Sequence, residues 1–202
     1  MADNEVIMKG NEALAEAAIR SGCRFFSGYP ITPQTEILEY MSWRMEEAGG
    51  EAIQTEDELC GAYMLFGAAA AGARALSTSA GPGFSLYQEA ISYLVGSDLP
   101  AVLVDVSRIG NALGDISQSQ GDYELIRKGN GHGDTMVIAL TPASVQEIVD
   151  DVQLAYELAE KYLHPVIILY DAAIGQMMEG VTLPEMSEHA SRQMKNIKSL
   201  WN

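Results

Sequence analysis

Residues 101–106 read Ala-Val-Leu-Val-Asp-Val, a run apolar on both faces of any strand it forms and interrupted only by Asp105. A strand buried on both sides belongs inside a parallel sheet with helices on each face. Shorter stretches repeat the signal: residues 23–27, 52–54, 75–79, 135–140 and 165–170 predict further strands, the last closing the series. Between them the apolar period changes to that of a helix. Ile37, Leu38, Met41 and Met45 share one helical face, as do Val145, Ile148, Val149, Val152, Tyr156 and Ala159.

Local chemistry marks where these helices start and stop. Asn11 is the expected cap of a helix ending at Gly22. Thr32-Pro33 and Thr141-Pro142 place a capping threonine before a proline suited to the first helical position. Further helices are expected over 56–71 and 84–95. Residues 108–134 are rich in Gly, Asn, Asp, Ser and Gln and predict a long loop, which in a compact domain is usually functional. The expected fold class is therefore α/β, a parallel sheet covered by helices on both faces. One domain is expected over 1–175, followed by a linker or docking arm over 176–202.

Composition excludes several function classes. Twelve basic against 28 acidic residues give a formal charge of −16, which repels a polyanion, so no nucleic acid is expected as partner. Cys23 and Cys60 are the two cysteines, without metal-ligand spacing, and each is expected as a buried, inert thiol. No metal site is expected on this chain. The N-terminus lacks a signal-peptide pattern and no apolar run reaches membrane-span length, so a cytoplasmic location without membrane contact is expected.

Ligands of open parallel sheets bind beyond the carboxyl ends of the strands. The loops that fall there are 28–33, 55–58, 79–84 and the stretch from Arg108 onward. Gly81-Pro82-Gly83 alone is a weak phosphate signal, because the third glycine of a dinucleotide fingerprint and the Lys-Ser/Thr of a P-loop are both missing.

Taken together the four loops say more. Gly28-Tyr29-Pro30-Ile31-Thr32-Pro33, Glu56-Asp57-Glu58, Ser79-Ala80-Gly81-Pro82-Gly83-Phe84-Ser85 and Asp105-Val106-Ser107-Arg108 follow one another in an order and spacing that resemble the alpha subunit of 2-oxoacid:ferredoxin oxidoreductases. Ser119-Gln120-Gly121-Asp122-Tyr123, Gly131-His132-Gly133-Asp134 and Gly175-Gln176-Met177-Met178-Glu179 resemble the 2-oxoisovalerate (3-methyl-2-oxobutanoate) branch.

The resemblance implies the pyrimidine-binding domain of a thiamine-diphosphate fold. It implies that Glu58 is the catalytic carboxyl that hydrogen-bonds N1′ of the cofactor's aminopyrimidine, with Tyr29, Pro30, Gly81, Pro82 and Gly83 lining the cofactor. Thr32 and Arg108 would bind the 2-oxoacid, the guanidinium gripping its carboxylate in two-pronged fashion. Without the resemblance, Glu58 reads as a helix-start acid favoured by the dipole, Thr32 as a helix cap and Arg108 as a solvated loop charge. After Arg108 the chain runs Ile109-Gly110-Asn111-Ala112, where relatives of this kind carry Gly-Gly-Pro. No role is assigned to His132.

The implied reaction is oxidative decarboxylation of a 2-oxoacid (2-oxoisovalerate, 2-oxoglutarate or pyruvate) to an acyl-coenzyme A and CO2, with reduction of ferredoxin. The chain carries no segment for the magnesium-diphosphate end of the cofactor and no cluster-binding cysteine set. Mg2+ and [4Fe-4S] clusters are therefore expected on partners: a diphosphate-binding beta subunit, and gamma and ferredoxin-like delta subunits, in a dimer or hetero-oligomer. Two other readings are a non-catalytic assembly module of the same fold and half of a non-oxidative thiamine-dependent decarboxylase.

Overall fold

A computed structural model of the chain describes residues 5–111 and 113–187. In chain order its elements are β1 (Glu5–Lys9), α1 (Gly10–Arg20), β2 (Phe25–Gly28), α2 (Thr35–Glu47), β3 (Glu51–Gln54), α3 (Glu58–Ala70), β4 (Ala75–Ser79) and α4 (Pro82–Leu86). They continue with α5 (Gln88–Gly96), β5 (Ala101–Ser107), α6 (Asp122–Arg127), β6 (Ile138–Leu140), α7 (Val145–Tyr162), β7 (Pro165–Asp171), α8 (Ala172–Gln176) and β8 (Met178–Thr182).

Six strands form a parallel sheet in the order β3-β2-β4-β5-β7-β6. All seven residues of β5 are buried, which is the both-face burial its composition demands. Alternate residues along the strands serve different layers. Val102, Val104, Val106, Val166 and Ile168 pack with the inner faces of α1, α2 and α7. Leu103, Ala101, Ile167 and Leu169 pack with α3, the Phe84–Tyr87 turn, α5 and Ile126 of α6.

An ion network ties α1 to α2 on the first face. Glu16 is 3% exposed and accepts from Arg20 Nε at 2.7 Å, Arg44 Nε at 3.0 Å and Tyr40 Oη at 3.1 Å. Burial pushes its pKa up, but the hydrogen bonds and charges of Arg44 and Arg20 outweigh burial and leave it below the ordinary value.

Several boundaries differ from the sequence expectation, each for a local reason. Asn11 does not cap α1. It lies inside the helix, fully buried, and its amide donates to Pro33 O at 2.7 Å and Glu36 Oε2 at 3.1 Å. Thr32-Pro33 does not open α2; the helix starts at Thr35 after Gln34. Thr141-Pro142 likewise precedes the true cap Ser144, whose hydroxyl accepts from the Glu147 amide at 3.2 Å. The 108–134 loop contains α6 and a bridge between Arg108 and Gln118. Cys23 is buried, with burial raising its thiol pKa, whereas Cys60 is only half-buried.

β7 is not the last strand. β8 pairs antiparallel with β1, Val6 opposite Val181, and Arg20 Nη1 reaches Pro184 O at 3.0 Å. Residues 178–187 of the expected arm thus lie against the body, and 188–202 fall outside the described residues. Among the described residues no helix is long and apolar enough to cross a membrane.

Candidate functional site

From β2 the chain runs through α2 to β3 toward one edge of the sheet, whereas from the adjacent β4 it runs through α4 and α5 to β5 toward the other. The crevice beyond the ends of β2 and β4 is therefore a topological switch point, the usual ligand position in such sheets. A separate cleft of 590 Å³ lies at the opposite edge beside β6, lined by Tyr123 and the 126–137 segment, so the Gly131-His132-Gly133-Asp134 motif faces it and not the switch-point crevice.

Small residues let α3 close on the crevice. Gly61 sits on β2: a Cβ there would lie 3.3 Å from Thr55 Oγ1, 3.4 Å from Tyr87 Oη and 3.7 Å from Gly28 Cα. Ser27 Oγ donates to Gly61 O at 2.8 Å. Asp57, preceding the helix, accepts from the Cys60 amide at 2.7 Å and is the N-cap. The three acids at 56–58 thus divide their work: Glu56 is exposed, Asp57 caps, and Glu58 is the half-buried first residue of α3.

The Glu58 carboxyl lies against α4. A Cβ on Gly83 would fall 2.6 Å from Glu58 Oε1 and 2.5 Å from Ser79 Oγ. Glu58 makes no hydrogen bond or ion pair with another described residue. Gly81 turns the chain into α4 at φ +47°, where a side chain would be strained and would meet Arg108 Cγ at 2.8 Å. Pro82 occupies the start of the helix.

Thr32 and Arg108, 76 residues apart, are joined. Arg108 is 8% exposed, and its Nη1 donates to Thr32 O at 2.8 Å. Thr32 itself is exposed, and Tyr29 and Pro30 are half-buried on the same loop. The structure thus places Glu58 beside Gly83, and Arg108 beside Gly81 and Thr32, so that four of these five lie around one turn.

Sequence reasoning missed the residues that hold the crevice floor. Gln34 is fully buried; its amide donates to Tyr29 O at 2.8 Å and its oxygen accepts from Thr78 Oγ1 at 2.7 Å, bridging the ends of β2 and β4. Tyr87 Oη donates to Thr78 O at 2.9 Å and meets Ser77 Oγ at 2.8 Å, with burial and the neighbouring Glu58 and Asp105 raising its pKa. No sequence signal marked Gln34. For Asp105, the signal was a charge inside an apolar run.

An exposed apolar face flanks Glu58. Leu59, Tyr63, Met64, Leu86 and Tyr93 are each more than a third exposed. Tyr63 and Tyr93 clasp Glu89 from α3 and α5, at 2.7 Å and 3.2 Å. Among the described residues no group of three or more His, Cys, Asp or Glu is placed to hold a metal ion.

Residues 16–199 match the family described as pyruvate flavodoxin/ferredoxin oxidoreductase, thiamine-diphosphate-binding. The chain is 49% identical over 179 residues to ketoisovalerate oxidoreductase subunit VorB of Methanothermobacter thermautotrophicus, covering 89% of this chain and 51% of that one. It is 45% identical over 187 residues to 2-oxoglutarate synthase subunit KorA of Methanocaldococcus jannaschii, covering 92% and 51%. A solved structure of 2-oxoglutarate:ferredoxin oxidoreductase from Magnetococcus marinus, with 2-oxoglutarate, coenzyme A and succinyl-CoA bound, superposes with a TM-score of 0.86 at 34% identity, over 90% of this chain and 32% of the other. The chain spans about half the length of the curated relatives it matches.

Proposed function

Because the chain belongs to the thiamine-diphosphate-binding family of pyruvate flavodoxin/ferredoxin oxidoreductases, we propose that it supplies the aminopyrimidine side of the active site in a multi-subunit 2-oxoacid:ferredoxin oxidoreductase. The observation that carries this reading is the Glu58 carboxyl at the switch-point crevice, with no hydrogen bond or ion pair among the described residues and no room for a side chain on Gly83 beneath it. An acceptor so placed suits a heterocyclic nitrogen that bears or shares a proton.

Thiamine diphosphate, when bound, supplies the nucleophilic carbon and the electron sink for decarboxylation. This chain's residues do the rest of the work on the pyrimidine side. Glu58 holds and returns a proton at the ring nitrogen, as a positioned general acid–base. Tyr29, Pro30 and the Gly81-Pro82-Gly83 turn line the ring, the two glycines allowing backbone to approach it. Arg108 meets the carboxylate of the 2-oxoacid, with Thr32, whose carbonyl already takes one guanidinium N–H, alongside. The relatives named above act on ketoisovalerate and 2-oxoglutarate, which makes these two oxoacids the first substrates to test.

The apolar face of α3 and α5 beside Glu58 supports closure of the crevice by a second polypeptide, and we assign it to the diphosphate-binding partner. Mg2+ and the iron–sulfur clusters belong, on this reading, to partner subunits, and the complex to the cytoplasm. The test is Glu58→Gln in the reconstituted complex, assayed with 2-oxoacid, coenzyme A and ferredoxin or viologen. Turnover is expected to fall by about 10³-fold or more with assembly intact; full activity would overturn the assignment of Glu58.

A further inference from the structure

The carboxyl ends of β4 and β5 and the start of α6 enclose a seam of buried polar atoms without hydrogen-bond partners: Ser79 Oγ, both oxygens of Asp105, Ser107 Oγ, Arg108 Nε and Asp122 Oδ2. Buried polar atoms in folded proteins are normally paired, so several together need a chemical explanation. Asp105 is 0% exposed and Asp122 6%. Ser79 lies opposite Asp105 in the β4–β5 register. Asp105 shares its sheet face with Leu103, toward α3, α5 and α6.

The groups acting on Asp105 come from every side and none is a cation. Asp122 approaches from α6 and the Gly81 amide from the turn after β4. Tyr87, before α5, and Tyr170 on β7 both feel its charge. Glu58 on α3 acts on Tyr87. Arg108 acts on Asp122. An ionised Asp105 would face a second carboxylate with only the Gly81 amide, which Asp122 also engages, to favour its charge, whereas a protonated Asp105 turns one acceptor into a donor. Asp122 is surrounded by groups that favour its charge: Ser107, the backbone N–H groups of Arg108 and Gly81, and the Arg108 guanidinium. Gly110 leaves room for it, since a Cβ there would be 3.4 Å from Asp122 Oδ1.

We infer that Asp105 and Asp122 hold one proton between them, carried on Asp105, and that the remaining negative charge on Asp122 is the positioning element that seats Arg108 and the Gly81 turn at the crevice. Burial raises the proton affinity of both acids, and the charge of Asp122 raises that of Asp105 further. The proton is thus held well above the ordinary carboxylate range and is lost only as pH is raised. Loss of that proton sets two negative charges against each other behind Arg108 and loosens the substrate grip. The role of the grip rests on the proposed function; the shared proton does not.

Infrared spectra of the full chain at pH 7, wild type minus Asp105→Asn, are expected to contain the carbonyl stretch of a protonated carboxylic acid. Absence of that band overturns the shared proton. In the reconstituted complex, Asp122→Asn is expected to raise the KM for the 2-oxoacid about tenfold, the effect of removing one charge-assisted contact, with the KM for coenzyme A unchanged. Asp105→Asn is expected to abolish the rise in the oxoacid KM as pH is raised. An unchanged oxoacid KM in Asp122→Asn, or a rise with pH that survives Asp105→Asn, overturns the positioning role. The infrared band is read without substrate, so it stands or falls independently of whether the chain handles 2-oxoacids.

Discussion

Gly83→Ala is a one-carbon perturbation that presses on the carboxyl proposed above as the acid–base group while leaving Glu58 itself in place. Gly83 lies in α4 and its φ is not positive, so the backbone accepts alanine. The new Cβ would fall 2.5 Å from Ser79 Oγ, 2.6 Å from Glu58 Oε1 and 3.0 Å from Glu58 Cγ. Ser79 is fixed in a fully buried strand, whereas Glu58 is half-buried and its carboxyl is the end of a flexible side chain. Glu58 is the group that yields, by about 0.8 Å, before ordinary van der Waals contact is restored. A displacement near 1 Å at a reacting group costs about 10²-fold in rate, or about 2.7 kcal/mol of barrier. The overpacked turn adds about 1–3 kcal/mol of destabilisation, which thermal melting reads separately. The assay is kcat in the reconstituted complex, in the single variants and in Gly83→Ala with Glu58→Gln. If the methyl acts through the carboxyl, the double variant is no slower than Glu58→Gln alone. A folded Gly83→Ala chain with kcat within twofold of wild type refutes the reasoning.

Arg108→Ala is expected to raise the KM for the 2-oxoacid by about 10–100-fold, the effect of removing a charge-assisted contact, and to leave that for coenzyme A nearly unchanged; equal effects on both count against a carboxylate grip. Glu16→Ala leaves Arg44 and Tyr40 without their buried acceptor and is expected to cost about 3–5 kcal/mol in denaturant unfolding. Because its folded pKa is depressed, Glu16 contributes stability above the ordinary carboxylate range and loses it as pH falls through the lower folded value. The wild-type advantage over Glu16→Ala should therefore shrink in acid, and a constant difference contradicts the network. Leu163 ends α7 at φ +50°, half exposed; Leu163→Gly is expected to stabilise by about 0.5–1 kcal/mol, read as a raised Tm.

The sheet was legible because its signal is local. β4 begins and ends where the run 75–79 predicts, and β5 exceeds its expected range only by Ser107. The buried faces of α2 and α7 follow the apolar period residue by residue. What failed depends on distant partners. Asn11 has the chemistry of a cap, but Pro33, Glu36 and Tyr170 claim its side chain. β8 was unreadable because its partner β1 lies far away in the chain, Val6 pairing with Val181. The site was legible only as a set of loops: Glu58 alone could not be told from its neighbours, and it is the spacing of four motifs that singles it out. Gln34 went unnoticed, and Asp122 stood only as a member of a motif with no role of its own, because polar residues in a polar stretch carry no mark of burial.

α3 begins with the carboxyl assigned above to the ring and, within two turns, presents Leu59, Tyr63 and Met64 outward. A rigid rod of 13 residues joins the two ends. Whatever presses on the outer side therefore adjusts the aim of Glu58, and a chain left alone keeps its acid–base group trained on nothing in particular. If the proposed function holds, a solitary copy is idle by construction, and correct pairing is itself the safety catch on a reactive cofactor.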